Sequence, residues 1–142
     1  MTYATLDQLK DRFGTGMLVQ LTDRAAVPTD TVDVAVVARA LADTDAVIDG
    51  YLAARYQLPL SETPALLADI AQIIAIWKLH RFEPDPKITK DYEGALRSLR
   101  DVATGTIRLA IAGIEPGGKG GSGAKFTDRD RPFTAQNLKG FI

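Results

Sequence analysis

Cysteine is absent from this chain and histidine occurs once. Without thiols there is no disulfide scaffold, no thiolate metal site and no cysteine nucleophile. A single imidazole cannot build a His-rich metal centre, and spacing suggests no serine–carboxylate–histidine relay around it. A basic excess is missing too. The formal net charge is −1, whereas a dedicated nucleic-acid binder carries a strong positive surplus. The longest apolar run, Ile73-Ile74-Ala75-Ile76-Trp77, falls far short of the roughly 20 residues that cross a bilayer. The opening MTYATLDQLK lacks the basic start and apolar stretch of a signal peptide. These absences predict a soluble chain with no membrane partner, made in a reducing cytoplasm. The rest is an ordinary globular mixture: 142 residues, 46% hydrophobic and 25% charged. That length predicts one domain, burying roughly two-thirds of its unfolded surface.

The near-neutral total is a cancellation. Residues 1–105 carry 15 acidic and 11 basic side chains, and residues 106–142 carry 3 acidic and 6 basic. An acidic body of net −4 is thus followed by a tail of net +3, and the division falls where helical periodicity stops.

The periodicity predicts a mainly α fold, a compact bundle of about four helices. Thr5 with Gln8 makes a capping box ahead of Leu6, Leu9 and Phe13, and Gly14 ends the turn. Residues 17–21 are a short apolar segment of a helical turn or two, stopped at Thr22-Asp23. Residues 24–32 read as a loop. The long second helix is capped by Asp33 and runs to about Tyr56, roughly 35 Å, with Val37, Ala40, Leu41, Thr44, Ile48 and Leu52 on its apolar stripe. Thr63-Pro64, as N-cap and first helical position, opens a third helix whose apolar girth is wide, as in a central helix. Glu83-Pro84-Asp85-Pro86 reads as a break, after which Thr89 caps a fourth helix ending at Gly105. Ile107, Leu109 and Ile111 alternate with polar or small residues. That predicts a short strand over 106–112, or an extended segment clamped on a partner. The domain therefore spans 1–112. Residues 113–142 form a flexible Gly-rich linker and a tail with apolar anchors at Phe126, Phe133, Leu138 and Phe141.

Each chemistry-bearing motif has a plainer reading. Gly113-Ile114-Glu115-Pro116-Gly117-Gly118-Lys119 matches the first seven positions of a P-loop. Gly120 then stands where Ser or Thr should hold magnesium, and GGSG cannot open the helix that would face the phosphates. A flexible linker with one lysine is expected. Asp43, Asp45 and Asp49 resemble a carboxylate cluster, but a cation needs oxygens converging from several segments, so a solvated acidic face is expected. His80 and Arg81 complement the dipole at the end of the third helix. Trp77 and Tyr92 read as packing residues. Arg55-Tyr56, before Leu58-Pro59-Leu60, is the most distinctive local string; a dipole-favouring arginine with a tyrosine over the turn explains it locally. No metal, cofactor or catalytic constellation is predicted, and the chain reads as a non-enzyme.

The string Ile48-Asp49-Gly50-Tyr51-Leu52-Ala53-Ala54-Arg55-Tyr56-Gln57-Leu58-Pro59-Leu60 resembles a hallmark segment of the Mu-like phage head–tail connector, or adaptor, family. Other pieces agree in order: Tyr3-Ala4-Thr5-Leu6-Asp7-Gln8-Leu9, Gln20-Leu21-Thr22-Asp23, Ile70-Ala71 with Trp77-Lys78-Leu79-His80-Arg81, and Tyr92-Glu93-Gly94-Ala95-Leu96 through Gly105. Phe126-Thr127-Asp128-Arg129 and Leu138-Lys139-Gly140-Phe141 complete the likeness, which covers nearly the whole chain. The glycine insert at 117–123 is longer than the family pattern. The resemblance implies a virion structural protein of the neck, made in the host bacterial cytoplasm. It implies a homo-oligomeric ring, about a dozen copies closed by heterologous contacts, under the portal protein and seating a neck, stopper or tail protein. DNA would pass through the channel without specific binding. The protein-interaction residues expected on these grounds are Arg55, Tyr56, Arg81, Phe126, Phe133, Leu138 and Phe141.

Three further expectations follow. The wide girth of the third helix and the tail anchors supply inter-subunit faces. The acidic body avoids gripping phosphates. The rival reading is a small soluble helical DNA-binding or regulatory protein, which requires a basic recognition helix in a helix-turn-helix.

Overall fold

The computed structural model describes residues 1–111. They form five helices: α1 (Leu6–Phe13), α2 (Thr15–Thr22), α3 (Val34–Leu52), α4 (Ala65–Leu79) and α5 (Pro86–Thr104). The mainly α bundle matches expectation, and the apolar segment at 17–21 is a helix in its own right. No strand occurs among the described residues. Residues 106–111 continue as turn and irregular backbone, with Ile107 N–H bonded to Asp101 O at 3.1 Å, so the predicted strand is corrected over those positions. Its last residue, Ala112, and the linker, the P-loop-like string and the four tail anchors all lie outside the described residues.

The first 33 residues are organised by side chains bonding to backbone. Thr5 and Gln8 form the predicted capping box, with exchanged bonds of 3.3 and 2.9 Å. Gly14, at φ 86°, closes α1 on Lys10 O and starts α2 through Leu18 N–H, so one residue turns the chain. Thr22 is fully buried. Its hydroxyl donates to Leu18 O at 2.7 Å and accepts the Asp33 N–H at 3.0 Å, tying the end of α2 to the start of α3.

Asp23 organises the intervening loop. Its carboxylate accepts the N–H groups of Thr29 and Asp30 at 2.8 and 3.0 Å and the Thr29 hydroxyl at 3.1 Å. This pins Asp30 in a left-handed conformation, φ 53°, that aspartate tolerates better than most residues. Desolvation pushes the Asp23 carboxyl up, but the hydrogen bonds from Asp30 and Thr29 outweigh it and hold the group below the ordinary carboxylate range. A depressed folded pKa contributes stability above the unfolded value that is lost as pH falls through the folded one. The Thr29 and Asp30 amide resonances are therefore expected to move as pH drops below about 3.9. Asp23→Asn should produce the same displacement at neutral pH. Amides indifferent to both changes would remove Asp23 from this role.

α3 begins as predicted, with Asp33 accepting the N–H groups of Ala35 and Val36. It ends at Leu52 rather than Tyr56. The N–H groups of Arg55 and Tyr56 both turn back onto Leu52 O, and the turn drives Tyr56 into the core. The helix is thus about 28 Å long. α4 starts one residue later than predicted: Pro64, at ψ 145°, is itself the non-helical cap, and Thr63 stands before it. α5 starts earlier than predicted. Asp85 accepts Lys87 N–H and Pro86 occupies the first turn, so the Pro-rich string is the helix start and Thr89 lies inside it.

α4 is the central helix. It packs against both α3 and α5, and it also meets α1. Leu67, Ile70, Ala71, Ile74, Ala75, Ile76 and Leu79 are buried around it. Most of the wide apolar girth is covered by these three neighbours, while Leu66 stays 37% exposed and Ile73 half-buried. Trp77 and Tyr92 stack with ring centroids 4.0 Å apart and planes 6° apart, joining α4 to α5 as packing residues. The body's acidity is also uneven, since the exposed positions Lys90, Glu93, Arg97, Arg100 and Asp101 give the outer face of α5 more basic than acidic groups.

Candidate interaction surfaces

Arg55 and Tyr56 lie just past α3, where α5 also ends. Tyr56 is 4% exposed, and its hydroxyl accepts the Leu109 N–H at 3.1 Å. Gly105 caps α5 in the left-handed region, φ 86°, with its N–H on Val102 O. A Cβ at Gly105 would land on the Arg55 guanidinium, so only a glycine admits that side chain. The Arg55 Nε is buried and has no hydrogen-bond partner among the described residues. Leu109 and Ile111 are buried beyond the turn. Within the described residues these two positions therefore grip the chain's own segment 105–109.

Substituting Gly105 by alanine combines a left-handed backbone penalty of about 1 kcal/mol with displacement of the arginine. Chemical denaturation of the double-mutant cycle is expected to show the substitution costing less in an Arg55→Ala background. Equal costs in both backgrounds would show that the contact carries no energy.

Arg81 is at the opposite end. α4 separates it from Arg55 and Tyr56 by about 22 Å, so the three sequence-predicted residues that are described do not come together in one site. Arg81 is exposed in the turn after α4. His80 closes that helix as expected, its Nδ1 2.7 Å from Ile76 O. Arg24 reaches across to Leu79 O at 3.0 Å, satisfying another terminal carbonyl. Arg24, His80, Arg81 and Phe82 line a shallow pocket of about 210 Å³. Phe82, 87% exposed, is an apolar knob that belongs to no helical stripe, and periodicity could not single it out.

A second pocket of about 290 Å³ opens between the α1–α2 corner and the α4–α5 pair. Phe13, Met17, Ile73, Ile76 and Ile88 form its apolar floor. Arg12, Asp85, Lys87 and Asp91 stand around it, with Arg12 paired to Asp69 and Lys87 to Asp91. These residues lie far apart along the sequence, and no local pattern joins them.

The carboxylates of α3 do something other than expected. Asp45 accepts the Tyr3 N–H at 3.0 Å and Asp49 the Tyr3 hydroxyl at 2.5 Å, while Asp43 is exposed. Tyr3 is 2% exposed. Two of the three acids thus hold the N-terminal segment, which corrects the reading of a solvated face. Desolvation raises the Tyr3 phenol above its ordinary value, helped by the Asp49 carboxylate, and raises Asp45 as well. Among the described residues no group of three His, Cys, Asp or Glu side chains is placed to hold a metal ion. No described helix is long and apolar enough to cross a membrane.

Comparison with known proteins agrees with this chain's distinctive strings. The family model described as Bacteriophage Mu, Gp36 matches residues 3–126. "Gene product J" of Escherichia phage Mu is 34% identical over 142 residues, covering 100% of both chains. The "Mu-like prophage FluMu protein gp36" of Haemophilus influenzae is 32% identical over 141 residues, covering 99% of this chain and 98% of the relative. Helical body, gripped exit and following segment are matched together, and the chain belongs to the phage Mu Gp36 family.

Proposed function

We propose that this chain is a virion structural protein, a head–tail connector that assembles as a homo-oligomeric ring under the portal and seats a neck, stopper or tail protein. The observation that carries the reading is the end-to-end match to a phage Mu protein, body and following segment alike. The proposal includes no catalytic step and no cofactor, and it places the protein in the neck of the virion.

DNA passes through the ring without specific binding in this reading. The structure bears on the rival regulatory reading at one point. α1 and α2 are joined by a single residue, as in a tight helix pair, yet α2 (TGMLVQLT) contains no charged side chain. A recognition helix without a cation has nothing to anchor it to phosphates. Negative-stain microscopy of the full chain mixed with its cognate portal tests the proposal. An added ring beneath the portal is expected. A portal unchanged by the protein, or tight salt-sensitive binding of duplex DNA by the chain, would overturn it.

A further inference from the structure

The α1–α2/α4–α5 groove is floored by Phe13, Met17, Ile73, Ile76 and Ile88, and no described side chain fills its roughly 290 Å³. A dry apolar cavity of about 150 Å³ is large enough to take a benzene ring. This one therefore has room for a phenyl group and a flanking side chain. Its surroundings carry both signs: Arg12 and Lys87 against Asp85 and Asp91.

The chain beyond the described residues offers a matching segment. Asp128-Arg129-Asp130-Arg131-Pro132-Phe133 sets a run of alternating charge immediately before a phenylalanine. The described chain ends at Ile111, beside the grip of Arg55 and Tyr56 at the C-terminal end of α5. The groove lies at the first turn of the same helix. The gap is therefore about the length of α5, which at 1.5 Å per residue is about 28 Å. Twenty-two residue steps separate Ile111 from Phe133, and a chain of that length reaches up to about 75 Å, so the segment is long enough to cross the gap.

We propose that the groove is the seat of the chain's own C-terminal segment, with Phe133 on the apolar floor and the mixed-charge run 128–131 against the charged side chains around it. The seat covers the apolar floor of this recess without drawing on a second molecule. It goes beyond the connector reading and stands or falls separately from it. The portal experiment reads the connector proposal, whereas the methyl broadening below reads only the groove.

The absence of cysteine makes the test clean, because Thr134→Cys in the full chain accepts one nitroxide label. The methyl resonances of Met17, Ile73, Ile76 and Ile88 are then expected to lose most of their intensity, and Phe133→Ala is expected to restore it. Methyls that keep their intensity, or broadening that persists after Phe133→Ala, would overturn the proposal. A mixture of spin-labelled chain with separately isotope-labelled chain identifies the donor. No broadening is expected there, and broadening in that mixture would move the occupant to a second copy and defeat the assignment.

Discussion

Replacing Ile74 by alanine is expected to lower the unfolding free energy by about 2–5 kcal/mol. Ile74 is fully buried on α4, the helix that packs against both α3 and α5. Removing its branched end opens a cavity that three helices would have to collapse to fill, and each is held at its ends by bonds that resist the shift. At several °C per kcal/mol for a domain of this size, the thermal midpoint should fall by about 10 °C or more. Leu66, eight positions earlier on the same helix, is the control. It is 37% exposed, and Leu66→Ala should cost under about 1 kcal/mol. Calorimetry of the two variants separates a helix buried within the subunit from one kept for a neighbour. Equal midpoints would contradict the central place of α4.

Tyr56→Ala is expected to cost about 3–5 kcal/mol, since it deletes a buried aromatic ring where α3, α5 and the departing chain meet. Tyr56→Phe isolates the hydroxyl and should cost about 1–2 kcal/mol, because the Leu109 N–H would stay buried without its acceptor. The phenylalanine variant also has a local signature. Hydrogen exchange at Leu109 should speed up, while amides in the middle of α4 keep their protection. Unchanged exchange at Leu109 would show that the grip on the exit does not depend on this bond. Neither variant should act through a lost partner contact, since the ring lies inside the domain.

The parts of this fold that sequence reasoning reached are those whose causes are local. The capping box at Thr5 and Gln8, the Asp33 cap and the glycine ends at Gly14 and Gly105 depend on residues within a few positions, and each stands as read. The misplaced boundaries have a common origin: a proline is compatible with two roles. Pro64 suits a first helical position and is the cap, whereas Pro86 suits a break and opens the helix. The α3 stripe runs on to Tyr56 because a helix and a turn both bury that ring, so periodicity alone could not find the end at Leu52. The features that define the candidate surfaces are non-local. The Tyr56–Leu109 bond joins positions 53 apart and the Tyr3–Asp49 bond positions 46 apart. The groove draws on α1, α2, α4 and α5 at once. No window along the chain contains such pairs. Resemblance marked the string around Arg55-Tyr56 as distinctive, and the structure supplies a physical reason in the grip on Gly105 and Leu109.

The two grips on α3 have a mechanical consequence. The N-terminal segment is held at Tyr3, bonded to Asp45 and Asp49, and the segment after α5 is held at Leu109, bonded to Tyr56 just past the same helix. Along the chain, only about 10–16 Å of α3 and its turn separates the points of attachment. Tension applied between the two ends would load that short stretch and bypass the stacked rings and the α4–α5 packing. The domain is thus wired as a bracket, with both leads soldered to one post and the remaining helices free of the load path.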